Sequence, residues 1–536
     1  SHDGSAGQAQ TRRASTTWDG RYCRPSQVVL EPGDAQWQVT IAPGYDAFGN
    51  PTGETVTGAG MAARSRTVGW DGNGQRPITL TNALGHITRL AWDAALGLPS
   101  GETDPNGLQT TWTSDAFGRR TRETRPDGTS TTWSYADCSV AGCSGANHRS
   151  TVTVEERDTG NGVIRDERVS LDRFDRTIST SYRLLNGGYA ESEVEYDGHG
   201  RVQRRSAPCT VVGCIQYWTT YTYDVTGRLL RETRPRSELD STPVTTALDY
   251  QGLTLRLTDV AGKVTTRVVD AAGRMARSSD ASGYALTFEH DGFGNLVEVV
   301  DSLGNTLQSD LYNALGLKTS SYDSDRGSWS YGYDALGELV QQTDANGRKT
   351  TWTYDPLGRP LTRVMPEGTG KITSTWTWGS SASAREIGQL KQAQISGTGL
   401  TTYREVQSFD ALGRPSQTQY VEGSTSRYVD LGYSATTGLP ESLTYPTSTS
   451  GYRLKLRYRY QNGLLSAVED FNAASTVYWQ ANATDARGAV VDESAPLRAS
   501  VPRSVRRVTA EGAWLALWHQ RRLPVHVFRL AGIYGP

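Results

Sequence analysis

The sequence predicts an all-β fold, a long antiparallel ribbon of repeated β-hairpins, and three observations carry that reading. A four-residue signature, Asp-x-x-Gly, returns over most of the chain in two interleaved registers of about ten and about eleven residues. Between the signatures lie short runs rich in Thr, Val, Tyr, Trp and Arg, the residues that fit a pleated, half-buried surface. The composition, with 57 Gly, 3 Met and a 36% hydrophobic share in 536 residues, suits turn-dense sheet with much solvated surface.

The turns justify themselves locally. An aspartate at the first position of a type I turn accepts hydrogen bonds from the amides ahead of it, and a glycine at the fourth leaves through a conformation that other residues resist. The pairs Asp46 and Gly49, Asp115 and Gly118, Asp197 and Gly200, and Asp224 and Gly227 occupy those positions, and Asp291 and Gly294, Asp334 and Gly337, Asp355 and Gly358, and Asp410 and Gly413 repeat them. In Asp104-Pro105-Asn106-Gly107 and Asp355-Pro356-Leu357-Gly358 a proline at the second position supplies the φ of that corner. Runs such as Lys349 to Tyr354 and Tyr217 to Tyr223 place aromatic or aliphatic residues on one parity and Thr, Arg, Ser or Gln on the other. Each repeat is thus a hairpin. A lone hairpin cannot bury its apolar face, so the hairpins pair edge to edge.

In chain order, residues 1–36 are a lead-in, residues 37–488 the hairpin array and residues 489–536 a tail outside the rhythm. The chain opens at Ser1 with no charged-then-apolar leader, as an internal or processed piece of something larger would. A net charge of -2 gives no electrostatic reason for a nucleic-acid partner, and the arginines spread along the strands are expected as cross-strand partners of Asp and Glu. No apolar run is long enough to span a membrane. Four cysteines fall in two look-alike loops, Cys138 to Cys143 and Cys209 to Cys214, leaving Cys23 unpaired. Two local disulfides, free thiols, or one zinc site that gathers all four remain open, although the spacing departs from the usual zinc knuckle. His86, His199, His290, His519 and His526 scatter without metal or nucleophile spacing, and the aspartates recur as turn corners rather than as a catalytic carboxylate pair. Trp112, Trp133, Trp218 and Trp352 are expected as cross-strand packing, with stacking on sugar rings as the rival use. The reading assigns no catalytic residue, metal or cofactor.

The hexamers Tyr45-Asp-Ala-Phe-Gly-Asn50, Tyr196-Asp-Gly-His-Gly-Arg201, Tyr223-Asp-Val-Thr-Gly-Arg228, Tyr333-Asp-Ala-Leu-Gly-Glu338, Tyr354-Asp-Pro-Leu-Gly-Arg359 and Phe409-Asp-Ala-Leu-Gly-Arg414 resemble the RHS or YD-repeat family of large bacterial proteins. The resemblance covers about residues 37–488 and implies a spiral of hairpins, part of a hollow shell that holds a C-terminal toxin domain until delivery. The implied partners are that cargo, the remaining shell segments and secretion-system components, and the implied location is secreted or cell-surface. The alternative within the same resemblance is a cell-surface adhesion module that binds carbohydrate. The family's Asp-Pro-x-Gly-Leu segment is matched in letters by Asp104 to Leu108, which sits early in the array and reads as an ordinary turn with no cleavage role. About twenty hairpins at ~4.8 Å per strand make a ribbon of roughly 200 Å, one ring of about 30 Å radius with exposed edges.

The tail changes grammar. A helix is expected from near Arg503, with Val508, Trp514, Leu515, Leu517 and Trp518 on its apolar face, followed by a strand over Val525 to Leu530. Asp492-Glu493, Pro496, Thr509-Ala-Glu511 and Phe528 to Pro536 resemble a fragment of an NAD-dependent epimerase of the extended short-chain dehydrogenase family. The glycine-rich nucleotide turn of that family is absent, and Arg503 and Arg507 stand where its catalytic Tyr-x-x-x-Lys would align, so the resemblance carries no expectation of oxidoreductase activity. A mis-joined fragment and a helical plug for the shell are the two readings of this segment.

Overall fold

The computed structural model describes residues 11–138, 148–210, 217–237 and 240–481. Among the described residues, forty strands, from Ala14–Trp18 (β1) to Val477–Gln480 (β40), form one antiparallel sheet in which strands pair with their neighbours in sequence. The sheet is unclosed, because β1 pairs with Pro25–Leu30 (β2) and β40 with Leu464–Asp470 (β39), not with each other. The ribbon begins at Ala14, so residues of the lead-in contribute its first two strands. The expected alternation is plain in Ile87–Trp92 (β7) and Gln109–Ser114 (β9), where exposed and half-buried side chains take turns.

The two sequence registers are the two edges of the ribbon. Strands that run into Tyr-Asp-x-x-Gly turns carry a one-residue bulge at the aromatic residue, as between Thr222 and Tyr223, Thr353 and Tyr354, and Ser408 and Phe409. Most strands that run into the other turns pair without a shift, as Thr103 with Gln109 and Ser279 with Ala285, with exceptions such as Glu156 and Arg157 before the Asp158 turn and Val299 and Val300 before the Asp301 turn. The bulge is the extra residue of the longer interval. One edge is therefore an aromatic edge and the other a plain edge.

The ribbon winds back onto itself. The turn that follows β4 (Pro51–Gly58) meets the turn that follows β28 (Gly327–Tyr333), where Ala335 N donates to Ala59 O at 3.3 Å. The same relation joins the turns after β8 (Pro99–Thr103) and β32 (Gly370–Trp378), after β12 (Ser150–Arg157) and β36 (Thr425–Tyr433), and after β14 (Thr177–Arg183) and β38 (Lys455–Gln461). Each step is twenty-four strand labels, and β16 (Val202–Ser206) and β17 (Cys209–Thr210) lie along β15 (Tyr189–Tyr196) as one interrupted strand, which leaves twenty-three positions per circuit. Because that count is odd, turns of opposite edges come into register. At ~4.8 Å per strand a circuit is on the order of 110 Å around. The ribbon thus makes about one and two-thirds circuits of 40 strands, not the single wider ring expected from the sequence. The sequence estimate spread all strands around one ring because nothing local reveals the curvature.

The core follows the same geometry. Buried apolar residues among those described are few, and Leu184, Leu185 and Ala335 sit where the second circuit rides on the first. Buried polar residues mark the same line, including Asn106, Thr129, Asn313, Asp334, Asp355 and Glu386. The molecule is a thin wall whose best-buried layer is its own seam.

Candidate functional site

The seam is held by groups far apart in sequence. The Asn106 side chain accepts a hydrogen bond from Ile387 N at 2.9 Å and donates one to Ile387 O at 3.1 Å, acting as a short piece of strand. Asn462 donates from Nδ2 to Leu184 O at 2.8 Å and to Leu185 O at 3.0 Å. Arg64 pairs with Glu338 at 2.6 Å, and Thr159 N donates to Thr436 O at 3.0 Å. The approach is close enough to require glycine: a methyl at Gly58 would lie 2.7 Å from Ala335 Cβ. His86, which the sequence left as a lone turn histidine, lines a seam cavity with Leu84, Asp355, Arg359 and Trp378.

Along the aromatic edge a ladder links each repeat to the next. Asp197 Oδ1 accepts from His199 N at 2.9 Å and Arg201 N at 3.0 Å, while its Oδ2 accepts from Arg201 Nε at 2.8 Å. The Arg201 guanidinium then lies over the Tyr223 ring at 4.6 Å and donates to Asp224 O at 3.3 Å, and Tyr223 Oη donates back to Val202 O at 2.8 Å. Arg176 over Tyr196, Arg359 over Trp378 and Arg414 over Tyr433 repeat the arrangement, with the ring N–H or O–H again donated to a carbonyl of the preceding repeat. Exposed cation–π contacts each contribute about 0.5–1 kcal/mol, so the ladder gains from repetition.

The remaining turn residues take the same positions. Asp46, Asp115, Asp224, Asp291, Asp334, Asp355 and Asp410 each accept from the amides two and four residues ahead. Gly49, Gly118, Gly200, Gly227, Gly294, Gly337, Gly358 and Gly413 donate to the aspartate carbonyl at positive φ, 83° at Gly200 and 89° at Gly227. Cross-strand ion pairs exist, as Arg204 with Glu195, but the arginine four residues after the turn aspartate forms a second class that the sequence reading did not separate. The signal was present in the hexamers, whose sixth residue is Arg at four of the six. Trp112 and Trp218 each have a guanidinium over the ring, Arg120 at 4.8 Å and Arg204 at 4.2 Å.

These contacts make the turns acid-sensitive. The amide of Arg201, followed by its guanidinium and the amide of His199, holds the Asp197 carboxyl at about 2 against partial desolvation. Burial pushes Asp355 upward, but the guanidinium and amide of Arg359 and the amide of Leu357 outweigh it and keep it low. A depressed carboxylate stabilises the fold above its unfolded value of 3.8 and loses that contribution as pH falls through its folded value. The sheet is therefore expected to persist at pH 4 and to lose stability progressively toward pH 2, read by far-UV circular dichroism during denaturant titrations (about 2–4 as the window). A flat denaturant midpoint across that window would contradict the assignment.

Cys138 and Cys209 are disulfide-bonded, which removes the free-thiol and zinc readings for these two sulfurs, and Cys23 is free and exposed. Cys143 and Cys214 lie outside the described residues, as does the epimerase-like tail with its expected helix and strand.

The RHS Repeat family model matches residues 95–131, 269–306, 312–348 and 333–369. The chain is 31% identical over 132 residues to the double-stranded DNA deaminase toxin A of Burkholderia cenocepacia (strain H111), covering 21% of this chain and 9% of that protein. It is 27% identical over 265 residues to the probable deoxyribonuclease RhsB of Dickeya dadantii (strain 3937), covering 47% of this chain and 18% of that protein. It therefore spans less than a fifth of the length of either relative. In fold it is similar to the crystal structure of TcdB2-TccC3, with a TM-score of 0.56 at 15% identity over 86% of this chain and 31% of that one. A second structure, TcdB2-TccC3 without its hypervariable C-terminal region, gives a TM-score of 0.54 at 14% identity, covering 86% of this chain and 33% of that one. The epimerase resemblance finds no counterpart among these matches. The RHS Repeat matches and the RHS-named toxin relative thus fall on the same hairpin ribbon whose Tyr-Asp turns resemble those of the RHS/YD-repeat family.

Proposed function

We propose that this chain is a wall section of a secreted RHS-repeat toxin, a non-enzymatic segment that sequesters a cargo domain until release. The observation that carries the reading is the wound, thin-walled ribbon sealed along its own seam. A wall one sheet thick with more than one circuit encloses space without filling it, and the inter-circuit bonds close the gap through which a protease loop or a target would enter. The deaminase and deoxyribonuclease activities in the relatives' names would belong to cargo, since the repeats supply turns and ladders instead of a reacting constellation. An array that runs on to residue 488 and the local pairings Cys138 with Cys143 and Cys209 with Cys214, each closing a short loop in an oxidising destination, belong to the same proposal. The covered faces of Trp112 and Trp218 favour the wall over a glycan-stacking platform.

Limited proteolysis tests it. In a full-length protein that carries a cargo after the repeats, the cargo is expected to be cut at least tenfold more slowly than the free domain. Equal rates would refute the enclosure.

A further inference from the structure

Turns of the aromatic edge that lie in the seam differ from the others at one position, the fourth residue after the turn's first. Where that residue is arginine, its guanidinium reaches the glycine of the following turn: Arg176 Nη1 stands 3.0 Å from where a Cβ on Gly200 would lie, and Arg274 Nη1 stands 3.7 Å from the same point on Gly294. It also donates to the first carbonyl of that turn, as Arg274 does to Asp291 O at 2.9 Å. Three consecutive seam turns, which open at Asp291, Asn313 and Asp334, carry Asn295, Leu317 and Glu338 there instead. The first circuit supplies the guanidinium at two of them. Arg12 donates to Ala314 O, lies over the Phe293 ring at 4.4 Å and brings Nη2 to 3.0 Å from the Cβ point of Gly316, the place an arginine at 295 would fill. Arg64 pairs with Glu338 at 2.6 Å and stands 3.7 Å from the Cβ point of Gly358, and both side chains are largely covered, at 19% and 16% exposure. Between these two places the step of twenty-four strand labels sets Val39, 5% exposed, at Leu317. Cation meets amide or acid, and apolar meets apolar.

We propose that Arg64 and Glu338 key the register of one circuit on the other, a guanidinium given across the seam where the turn lacks its own. The backbone does not choose that register by itself. A slip of one hairpin moves the ribbon by two strands, about 10 Å of circumference, and turns of the same kind would still meet. The side chains would not match. Arg64 would face Leu317 or Arg359, and Glu338 would face Ile87 or Val39, so each slipped state covers a charge without its partner. The inference concerns how the wall registers on itself, and it stands or falls apart from whether a cargo lies inside.

Disulfide trapping after refolding is the test, in full chains with Cys23→Ser. Ala59→Cys with Ala335→Cys reports the native register, because Ala335 N donates to Ala59 O at 3.3 Å, and Ala59→Cys with Pro356→Cys reports a slip of one hairpin. The first pair is expected to crosslink and the second is not. Arg64→Glu sets two acids face to face in the native register and an acid against Arg359 in the slipped one. It is therefore expected to cut the native crosslink about fivefold or more and to bring the slipped one up. Adding Glu338→Arg puts opposite charges back in place and is expected to restore the native crosslink, which a packing role alone would not do, with circular dichroism confirming that each variant folds. A native crosslink that Arg64→Glu leaves unchanged, its loss without the slipped crosslink, or a double variant that does not recover would each overturn the proposal.

Discussion

Asn106→Leu is expected to open the seam around Ile387 while leaving the hairpin that carries residue 106 intact. Leucine is close to asparagine in shape, so the turn Asp104-Pro105-Asn106-Gly107 loses no volume, and Asp104 still receives Gly107 N at 2.9 Å on its carbonyl. What is lost is the pair of hydrogen bonds to both backbone groups of Ile387, at a site where Asn106 is 6% exposed. Each buried backbone group left unpaired costs about 1–3 kcal/mol, so the variant is expected to lose about 2–6 kcal/mol of local stability. The loop over residues 380–389 is closed at its own base by the bridge of Gly379 to Ile387, where a methyl at Gly379 would lie 2.1 Å from Glu386 O, and is tied to the next turn by Gln389 Nε2 donating to Gly413 O at 3.4 Å. Hydrogen–deuterium exchange resolves the effect: protection should fall at Ile387 and its neighbours and hold in distant repeats, because a repeat array transmits stability mainly between neighbours. Asn106→Asp is the sharper variant, since it keeps an acceptor for Ile387 N but sets a carboxylate against Ile387 O. Its loss is expected to equal or exceed that of leucine. Unchanged exchange at Ile387 in both variants would show that the pairing does not hold the seam.

Asn106 also marks where sequence reading stops. The turn itself was legible, because Asp, Pro and Gly at fixed spacing state their own backbone angles, and so were the strands, from residue type and alternation. The two registers were visible as intervals, but that the longer one contains a bulge, and that each register owns an edge, needs the pairing of strands. The ladder was half legible: the tyrosine, aspartate and arginine of each hexamer are local, whereas the stacking of Arg201 on Tyr223 joins neighbouring repeats. The seam was not legible at all. Asn106 meets Ile387 across 281 residues of chain, a separation set by accumulated twist and curvature over a full circuit and by no residue near either partner. An asparagine in a turn has an ordinary local explanation, which hides its second use.

The exchange of aspartate for asparagine at position 355 separates the turn from the ion pair, and the chain contains its own control. Asp355 accepts from Leu357 N at 2.8 Å and Arg359 N at 3.1 Å through Oδ1, and from Arg359 Nε at 2.7 Å through Oδ2. Asn313 builds the same turn on the same edge without charge: its Oδ1 accepts from Leu315 N at 3.0 Å and Leu317 N at 2.9 Å, and the residue four ahead is leucine. Asp355→Asn is therefore expected to keep the turn and strand Arg359, whose side chain is largely covered and which would face an amide nitrogen or carbonyl in place of a carboxylate. Removing one partner of a covered pair costs about 3 kcal/mol at the low end of the buried range, and Asp355→Ala should cost more because the amides of Leu357 and Arg359 lose their acceptor too. Adding Arg359→Leu to Asp355→Asn copies the Asn313 and Leu317 arrangement and is expected to recover at least half of the single-variant loss, minus the stacking of Arg359 on Trp378 at 4.5 Å. The pH response discriminates further. With no carboxylate at 355, the double variant should lose less stability between pH 4 and pH 2 than the parent chain, since one depressed acid has left the turn ladder (about 2–4 as the window again). A double variant no more stable than Asp355→Asn, measured by urea titration with hydrogen–deuterium exchange over residues 355–359 as the local probe, would mean that the arginine is held by its aromatic contact and the carboxylate serves the turn alone.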